Sequence, residues 1–267
     1  MKPIISIIIP TKNEEKNIRT CLASIQKQTF PKNKMEIIVV DNFSNDRTRK
    51  IAERMAYVIQ AGDERSQQRN IGAKKARGTY LLFLDADMEL GEYTVTEVIQ
   101  LLKKKKRMVS MPQIGKGNTF WEKVMALESR CYYKEYDIHA ARGFRKKFFL
   151  DVGGYDEAMY AGEDWDLTLR CKGRHATLVA TASPIIHHES IGNIFSHLKK
   201  EDYYIQNIHC FAQKHPQEFA KLASFRYRGW LFIKNIHHFI HDPLHAAGLI
   251  GYKLFVHIWS RPQWRKQ

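Results

Sequence analysis

Acidic residues are scarce in this chain of 267 residues: 28 aspartates and glutamates face 43 lysines and arginines, a formal charge of +15. That imbalance favours polyanionic partners such as nucleotide phosphates, nucleic acid or an anionic membrane surface, and does not choose among them. Cysteine is sparse too. Cys21, Cys131, Cys171 and Cys210 stand far apart with no CxxC spacing, which argues against a zinc knuckle or a small disulfide framework and predicts reduced thiols in a cytosolic compartment. Long hydrophobic runs are missing. Residues 4–9 are too short for the apolar part of a signal peptide and lack a small-residue cleavage site, so they predict a first strand. The best candidate for a membrane span, residues 244–260, contains Lys253 and is interrupted by His245 and His257. A lysine at mid-bilayer costs roughly 3 kcal/mol, so a full span is disfavoured while a surface helix is not. The dispersed basic residues form no helix-turn-helix, zinc-finger or RNP pattern, and nucleic acid is not an expected partner. No Gly-rich phosphate loop follows the first strand, which argues against a sugar-phosphate nucleotidyltransferase.

What is present is an alternation of strand and helix signals over the first ~110 residues, the pattern of a parallel sheet with crossover helices. Residues 4–9 and 37–40 are apolar runs of strand length, and 57–60 a weaker third. Between the first two, Ile18, Cys21, Leu22 and Ile25 recur at helical spacing, with Thr11 or Asn13 as the expected cap. A second helix is predicted over 65–76, stopping at Gly78. The basic run 103–107 reads as the solvated end of a helix, followed by a strand at 109–111 and an aromatic-rich helix over 119–136. From Ile194 onward only helices are predicted.

The most informative stretch is YLLFLDAD, residues 80–87. An apolar run of this kind predicts a buried strand, and Asp85 and Asp87 then stand at its carboxyl end, where open α/β sheets bind ligands. Side chains two positions apart on a strand point the same way, so the two carboxylates would converge and need a divalent cation holding a phosphate. A second strand-like run ends at His187 and His188. Adjacent side chains on an extended chain diverge, so at most one imidazole, His187 by preference, faces such a site.

Four blocks in order resemble the family 2 glycosyltransferases of the GT-A fold, over roughly residues 4–190. They are IIIPTKNEE at 7–15, IIVVDNFSND at 37–46, Arg69-Asn70-x-Gly72 with Gly78-x-Tyr80 leading into Asp85-Ala86-Asp87, and GGYDE at 153–157 followed by GEDWDL at 162–167. Asn42 departs from the family pattern, standing where a second aspartate is usual. The resemblance implies a single α/β domain of GT-A type, a mostly parallel central sheet flanked by helices. It also implies transfer of a sugar from a nucleoside-diphosphate sugar, commonly a UDP-sugar, to an acceptor hydroxyl with inversion. Pro10, Thr11, Asn13, Glu14, Asp41 and Ser44 would hold base and ribose, and Arg69, Asp85 and Ala86 the rest of the donor. Asp87, supported by Asp85 and by His187 or His188, would bind Mn²⁺ or Mg²⁺. Asp164, beside Glu163, would be the general base. A catalytically inactive scaffold of the same fold and a basic nucleic-acid-binding protein are the alternatives.

Residues 1–190 are thus expected to form the transferase domain and 191–267 a helical C-terminal extension. In that extension Phe232, Ile233, Ile236, Phe239 and Ile240 form one stripe, and Leu244, Leu254, Phe255, Ile258 and Trp259 another, opposite Lys234, Lys253, His257 and Arg261. Such basic, aromatic amphipathicity suits a membrane interface, and equally a cover for the catalytic domain's core. The expectation is a cytoplasmic protein with an option of peripheral attachment to the inner face of the cell membrane, and a glycan or lipid-linked acceptor.

Overall fold

The computed structural model describes residues 2–133, 135, 138–189, 191 and 194–264, apart from the side chains of residues 196 and 257–264. The expected helix end at Tyr136, and the side chains of His257, Ile258, Trp259 and Arg261, lie outside the described residues. Two compact units emerge, one comprising residues 1–112, 139–157 and 163–187 and the other residues 113–138, 158–162 and 188–267.

Ten strands occur along the described chain: β1 (Ile5–Thr11), β2 (Met35–Asp41), β3 (Tyr57–Gln60), β4 (Tyr80–Phe83), β5 (Met88–Leu90), β6 (Arg107–Ser110), β7 (Gln113–Lys116), β8 (Ala141–Arg145), β9 (Thr177–Ala180) and β10 (Ile185–His188). The helices of the first unit are α1 (Ile18–Gln26), α2 (Thr48–Ala52), α3 (Arg65–Lys75) and α4 (Thr94–Lys103). The second unit contributes α5 (Phe120–Tyr132), and the first resumes with α6 (Lys146–Asp151) and α7 (Glu163–Gly173).

In the first unit seven strands form one sheet in the order β3-β2-β1-β4-β8-β6-β9. Pairing is parallel from β3 to β4 and between β6 and β9, while β8 runs antiparallel to both neighbours. The sheet is mixed α/β and mostly parallel, as the alternating pattern predicted. Its strands are apolar on both faces because helices cover both. Along β1, Ile5, Ile7 and Ile9 join one core cluster with α1 and α4, while Ile8 joins the other with β8, α6 and α7. Each fully buried isoleucine contributes about 1.5–3 kcal/mol.

The strand order reverses at β1. The chain winds outward through β2 and β3, then returns to lay β4 on the other side of β1. The crevice outside the carboxyl ends of β1 and β4 is therefore a topological switch point, the usual ligand position in open α/β sheets.

Two local expectations are corrected. Neither Thr11 nor Asn13 caps α1: Thr11 belongs to β1, and the helix follows Asn17, which makes no side-chain capping bond. The acidic pair is not on a strand, since β4 ends at Phe83 and residues 84–87 form the turn into β5, closed by Met88 N–H donating to Asp85 O at 3.1 Å. The start of α5 is as read: Thr119 accepts from the Glu122 amide while the Glu122 carboxylate accepts from the Thr119 amide, a capping box.

In the second unit α5 is followed by α8 (Ile194–Asn207), α9 (His209–Lys214), α10 (Pro216–Ala223), α11 (Phe225–Lys234), α12 (Ile236–His241) and α13 (Pro243–Trp264). Val124, Leu127 and Cys131 of α5 pack with Phe239, Leu249 and Tyr252 as its core. Buried Glu128 anchors Lys253 at 2.8 Å and accepts from Tyr132 Oη at 2.9 Å.

Candidate active site

At the carboxyl ends of β1 and β2 four predicted residues meet. Asp41 is fully buried, and its Oδ1 accepts from Thr11 Oγ1 at 3.2 Å and Ser44 Oγ at 2.5 Å. The Ser44 amide donates to Asp41 Oδ2 at 3.1 Å. Ser44 Oγ accepts in turn from the Asn13 amide at 2.8 Å, and Asn13 Oδ1 accepts from the Asn45 amide at 2.9 Å. Asn13 sits at φ +56°, a left-handed conformation that asparagine tolerates better than most residues. Glu14 is held by Thr48, whose Oγ1 accepts from the Glu14 amide at 2.7 Å. Pro10 lies buried on β1. Asp41 is thus the hub that folds two loops over the crevice. Gln68, which sequence reasoning missed, ties the two strand ends together: its Nε2 donates to Thr11 O at 2.9 Å and Val40 O at 2.6 Å.

The centre of the site is Arg69 on α3, only 1% exposed. Its Nη2 donates to Asp85 Oδ1 at 2.8 Å, and its Nη1 donates to Glu163 Oε1 at 3.0 Å and Asp164 Oδ1 at 3.2 Å. One guanidinium therefore connects the turn after β4 to the first turn of α7. Its other face lies 5.1 Å from the centre of the Tyr155 ring. Asn70 fixes that ring's backbone: its Oδ1 accepts from the Tyr155 amide at 2.9 Å, and its Nδ2 donates to Tyr155 O at 2.9 Å and to Glu157 at 2.8 Å. Here a glycine is required. Gly154 stands at φ +68°, and a Cβ there would lie 2.6 Å from Asn70 Oδ1.

Arg142 on β8 is the second residue that sequence reasoning missed. Its Nη1 donates to Asp85 Oδ2 at 2.9 Å, so both oxygens of Asp85 are taken by arginines. Burial would raise the Asp85 pKa, but Arg142 and Arg69, helped by Arg65, outweigh it and hold this carboxyl well below the usual range. The expected convergence of Asp85 and Asp87 on one cation is not what the turn produces. Asp85 is an anion locked between two cations, and Ala86, buried behind it, turns the chain. A signal for Arg142 did exist: an arginine set between Ala141 and Gly143 and before Phe144 demands an anion if that run is buried.

Glu163 and Asp164 open α7, where the helix N-terminus favours negative charge. Glu163 is buried and lies 3.8 Å from Arg65 as well as 3.0 Å from Arg69. Burial, and then the neighbouring Asp164 charge, push its pKa up. Asp164 is more open, and its Oδ2 has no hydrogen-bond partner among the described residues. Asp166 is fully buried and occupied by Arg170 at 2.7 Å, which also donates to the carbonyls of Val152 and Gly154.

Asp87 points elsewhere. Antiparallel pairing of β5 with β10 sets His187 opposite Met88, and His187 Nε2 lies 3.2 Å from Asp87 Oδ2. Alternation along the strand sends His188 to the opposite face. Asp87 Oδ1 is buried without a hydrogen-bond partner. A buried, unsatisfied carboxylate oxygen beside an imidazole fits a divalent cation. Among the described residues no group of three or more histidine, cysteine, aspartate or glutamate side chains is arranged to hold an ion. The pair therefore suits a cation that takes its other ligands from substrate phosphates and water.

Known proteins carry the same architecture. The glycosyltransferase AglE of Haloferax volcanii is 41% identical over 93 residues, a match covering 32% of this chain and 31% of AglE. The chain thus accounts for well under two-thirds of that relative's length. A PGL/p-HBAD biosynthesis glycosyltransferase of Mycobacterium bovis is 32% identical over 181 residues, 63% of this chain and 70% of that protein. Among solved structures, the mannosyltransferase PcManGT of Pyrobaculum calidifontis, in complex with GDP-Man and Mn²⁺, superposes with a TM-score of 0.62 at 18% identity, covering 98% of this chain and 84% of that one. Residues 1–349 of TarS of S. aureus, in complex with UDP-GlcNAc, give 0.56 at 24% identity, over 72% of this chain and 60% of theirs. At these identities the structures show the fold, which is GT-A. The family model "Glycosyl transferase family 2" matches residues 6–153, and the chain belongs to that family.

Proposed function

We propose that this chain transfers a sugar from a nucleoside-diphosphate sugar, with a UDP-sugar as the first donor to test, to an acceptor hydroxyl with inversion at the anomeric carbon. The observation that carries the reading is the Arg69 bridge between the turn at the β1/β4 switch point and the acidic start of α7. A donor lying in the crevice has the Thr11–Asn13–Asp41–Ser44 cluster for its base and ribose and the 85–87 turn for its diphosphate.

Asp87 and His187 would hold Mn²⁺ or Mg²⁺. When bound, the metal would neutralise the charge that develops on the leaving diphosphate. Asp85 does not serve as a ligand in this account. Held by Arg69 and Arg142, it fixes the turn that aims Asp87. Asp164 accepts the acceptor's hydroxyl proton through Oδ2 as the acceptor oxygen bonds to the anomeric carbon and the bond from that carbon to the diphosphate oxygen opposite breaks. Glu163 and Arg69 position Asp164. The first unit carries this chemistry, and residues 191–267 form an extension that belongs with α5 to the second unit. The acceptor is a glycan or a lipid-linked saccharide, reached at the inner face of the cell membrane by a cytoplasmic protein.

The test is a screen of UDP-, GDP- and dTDP-sugars with Mn²⁺ or Mg²⁺, reading released nucleoside diphosphate. Metal-dependent release from one donor class, lost in Asp87→Ala, supports the reading. Release that survives in that variant removes Asp87 from it.

A further inference from the structure

We propose that the outer face of α11–α13 is a docking surface for an anionic lipid bilayer. The inference concerns residues outside the transfer site and is tested without turnover, so either reading can fail alone. A helix that packs on a core normally turns a polar face to water. Helix α13 does not. Its inward side chains, Ala246, Leu249 and Tyr252, are buried in the core of the second unit. Its outward positions, spaced at 243/244, 247, 250/251 and 254/255, carry no charged or polar side chain. Exposed apolar side chains also lie on α11 and α12: Trp230, Ile233, Ile240, Leu244, Leu254 and Phe255 are each between 48% and 71% exposed, and large exposed apolar side chains in such number mark an interaction surface when they gather. The stripes predicted from the sequence are therefore split: Phe239 covers the core, while Ile233, Ile240, Leu254 and Phe255 do not.

Charge selects the occupant. Residues 219–256 contain five lysines and arginines and a single acid, Asp242, which is taken by His245 at 2.6 Å; Lys253 and Lys234 are paired with Glu128 and Glu135 at 2.8 and 2.5 Å, while Lys221 and Arg226 are exposed. Arg226 is exposed one turn before Trp230, and Lys234 lies 5.2 Å over the Trp230 ring. A second copy of a chain with net charge +15 would bring like charge to this face, whereas acidic headgroups bring the opposite sign. Among the described residues no helix is long and apolar enough to cross a membrane, so the arrangement is that of helices lying in the interface.

The experiment is flotation of the full chain with phosphatidylcholine vesicles and with equimolar phosphatidylcholine–phosphatidylglycerol vesicles, at low and high salt. Two variants accompany it: Ile240→Glu/Leu254→Glu, and Phe255→Ser as a change that adds no charge. Partition onto the anionic vesicles should exceed that onto neutral ones by about 10-fold or more and fall with salt. It should drop by a similar factor in the double variant and more modestly in Phe255→Ser, with the thermal transition of each retained. No binding to anionic vesicles, or equal binding to both kinds, overturns the proposal. So does a salt-resistant dimer in sedimentation velocity that both variants dissolve.

Discussion

Replacing Arg69 by methionine is the sharpest probe of how this site is held. The side chain is 1% exposed and serves three carboxylates. Methionine keeps much of its length and volume, so what is lost is charge. Removing one partner of a buried ion pair typically costs 3–5 kcal/mol, because the other charge is left uncompensated. Two features place this case at the low end. Asp85 keeps Arg142 at 2.9 Å and Glu163 keeps Arg65 at 3.8 Å, and the side chains of Asp85 and Asp164 are 22% and 26% exposed, so water recovers part of the loss. A destabilisation of about 3 kcal/mol follows, or roughly 6–12 °C in Tm at about 2–4 °C per kcal/mol.

The pH dependence carries a sign. Asp85 has its pKa depressed in the folded protein, so its contribution is present above the ordinary carboxylate value of about 4 and is lost as pH falls through the folded value. Glu163, with a raised pKa, acts oppositely: its contribution is present below the ordinary value and is lost as pH rises through the folded one. Asp85 is the stronger partner of Arg69 by distance, so the gap in Tm between wild type and Arg69→Met should be widest near neutrality and close in acid. Melting curves across pH read this directly. A loss under about 1 kcal/mol, or a gap that widens in acid, would refute the clamp.

Asp164→Asn keeps shape and removes basicity, so nucleotide binding should survive while transfer falls by roughly 10² or more; transfer near the wild-type rate would assign the base elsewhere. Gly154→Ala forces a side chain into left-handed backbone 2.6 Å from Asn70 Oδ1. It should cost at least ~1–2 kcal/mol, measured by urea unfolding, and an unchanged midpoint would show that the 153–157 turn adapts. Thr119→Ala removes half a capping box at the start of α5 and should cost about 1 kcal/mol, with little effect on nucleotide binding by the first unit.

Local pattern carried most of the fold. The strands at 4–9, 37–40 and 57–60 are β1, β2 and β3, and the helix read over 65–76 is α3, because apolar periodicity is written in neighbouring residues. Asn13 does not cap α1 because it is recruited by Asn45, 32 positions away, and no local rule registers that competition. The site shows the same division. Thr11, Asn13, Asp41 and Ser44 do meet, and His187 does stand beside Asp87. The pairing of Asp85 with Arg142, 57 positions apart, depends on β8 entering the sheet antiparallel beside β4, an event the αβ alternation does not foretell. Asp85 thus reads as a metal ligand from its spacing, whereas in the structure both of its oxygens accept from arginines.

The most direct measurement is calorimetric titration of UDP into the wild-type protein and Asp87→Ala, each with and without Mn²⁺. If the crevice at the β1/β4 switch point binds a nucleoside diphosphate through a metal held by Asp87, Mn²⁺ will tighten UDP binding about 10-fold or more in the wild type and leave the variant's affinity unchanged. Equal tightening in both proteins, or no UDP binding in either while another nucleoside diphosphate also fails, would contradict the account.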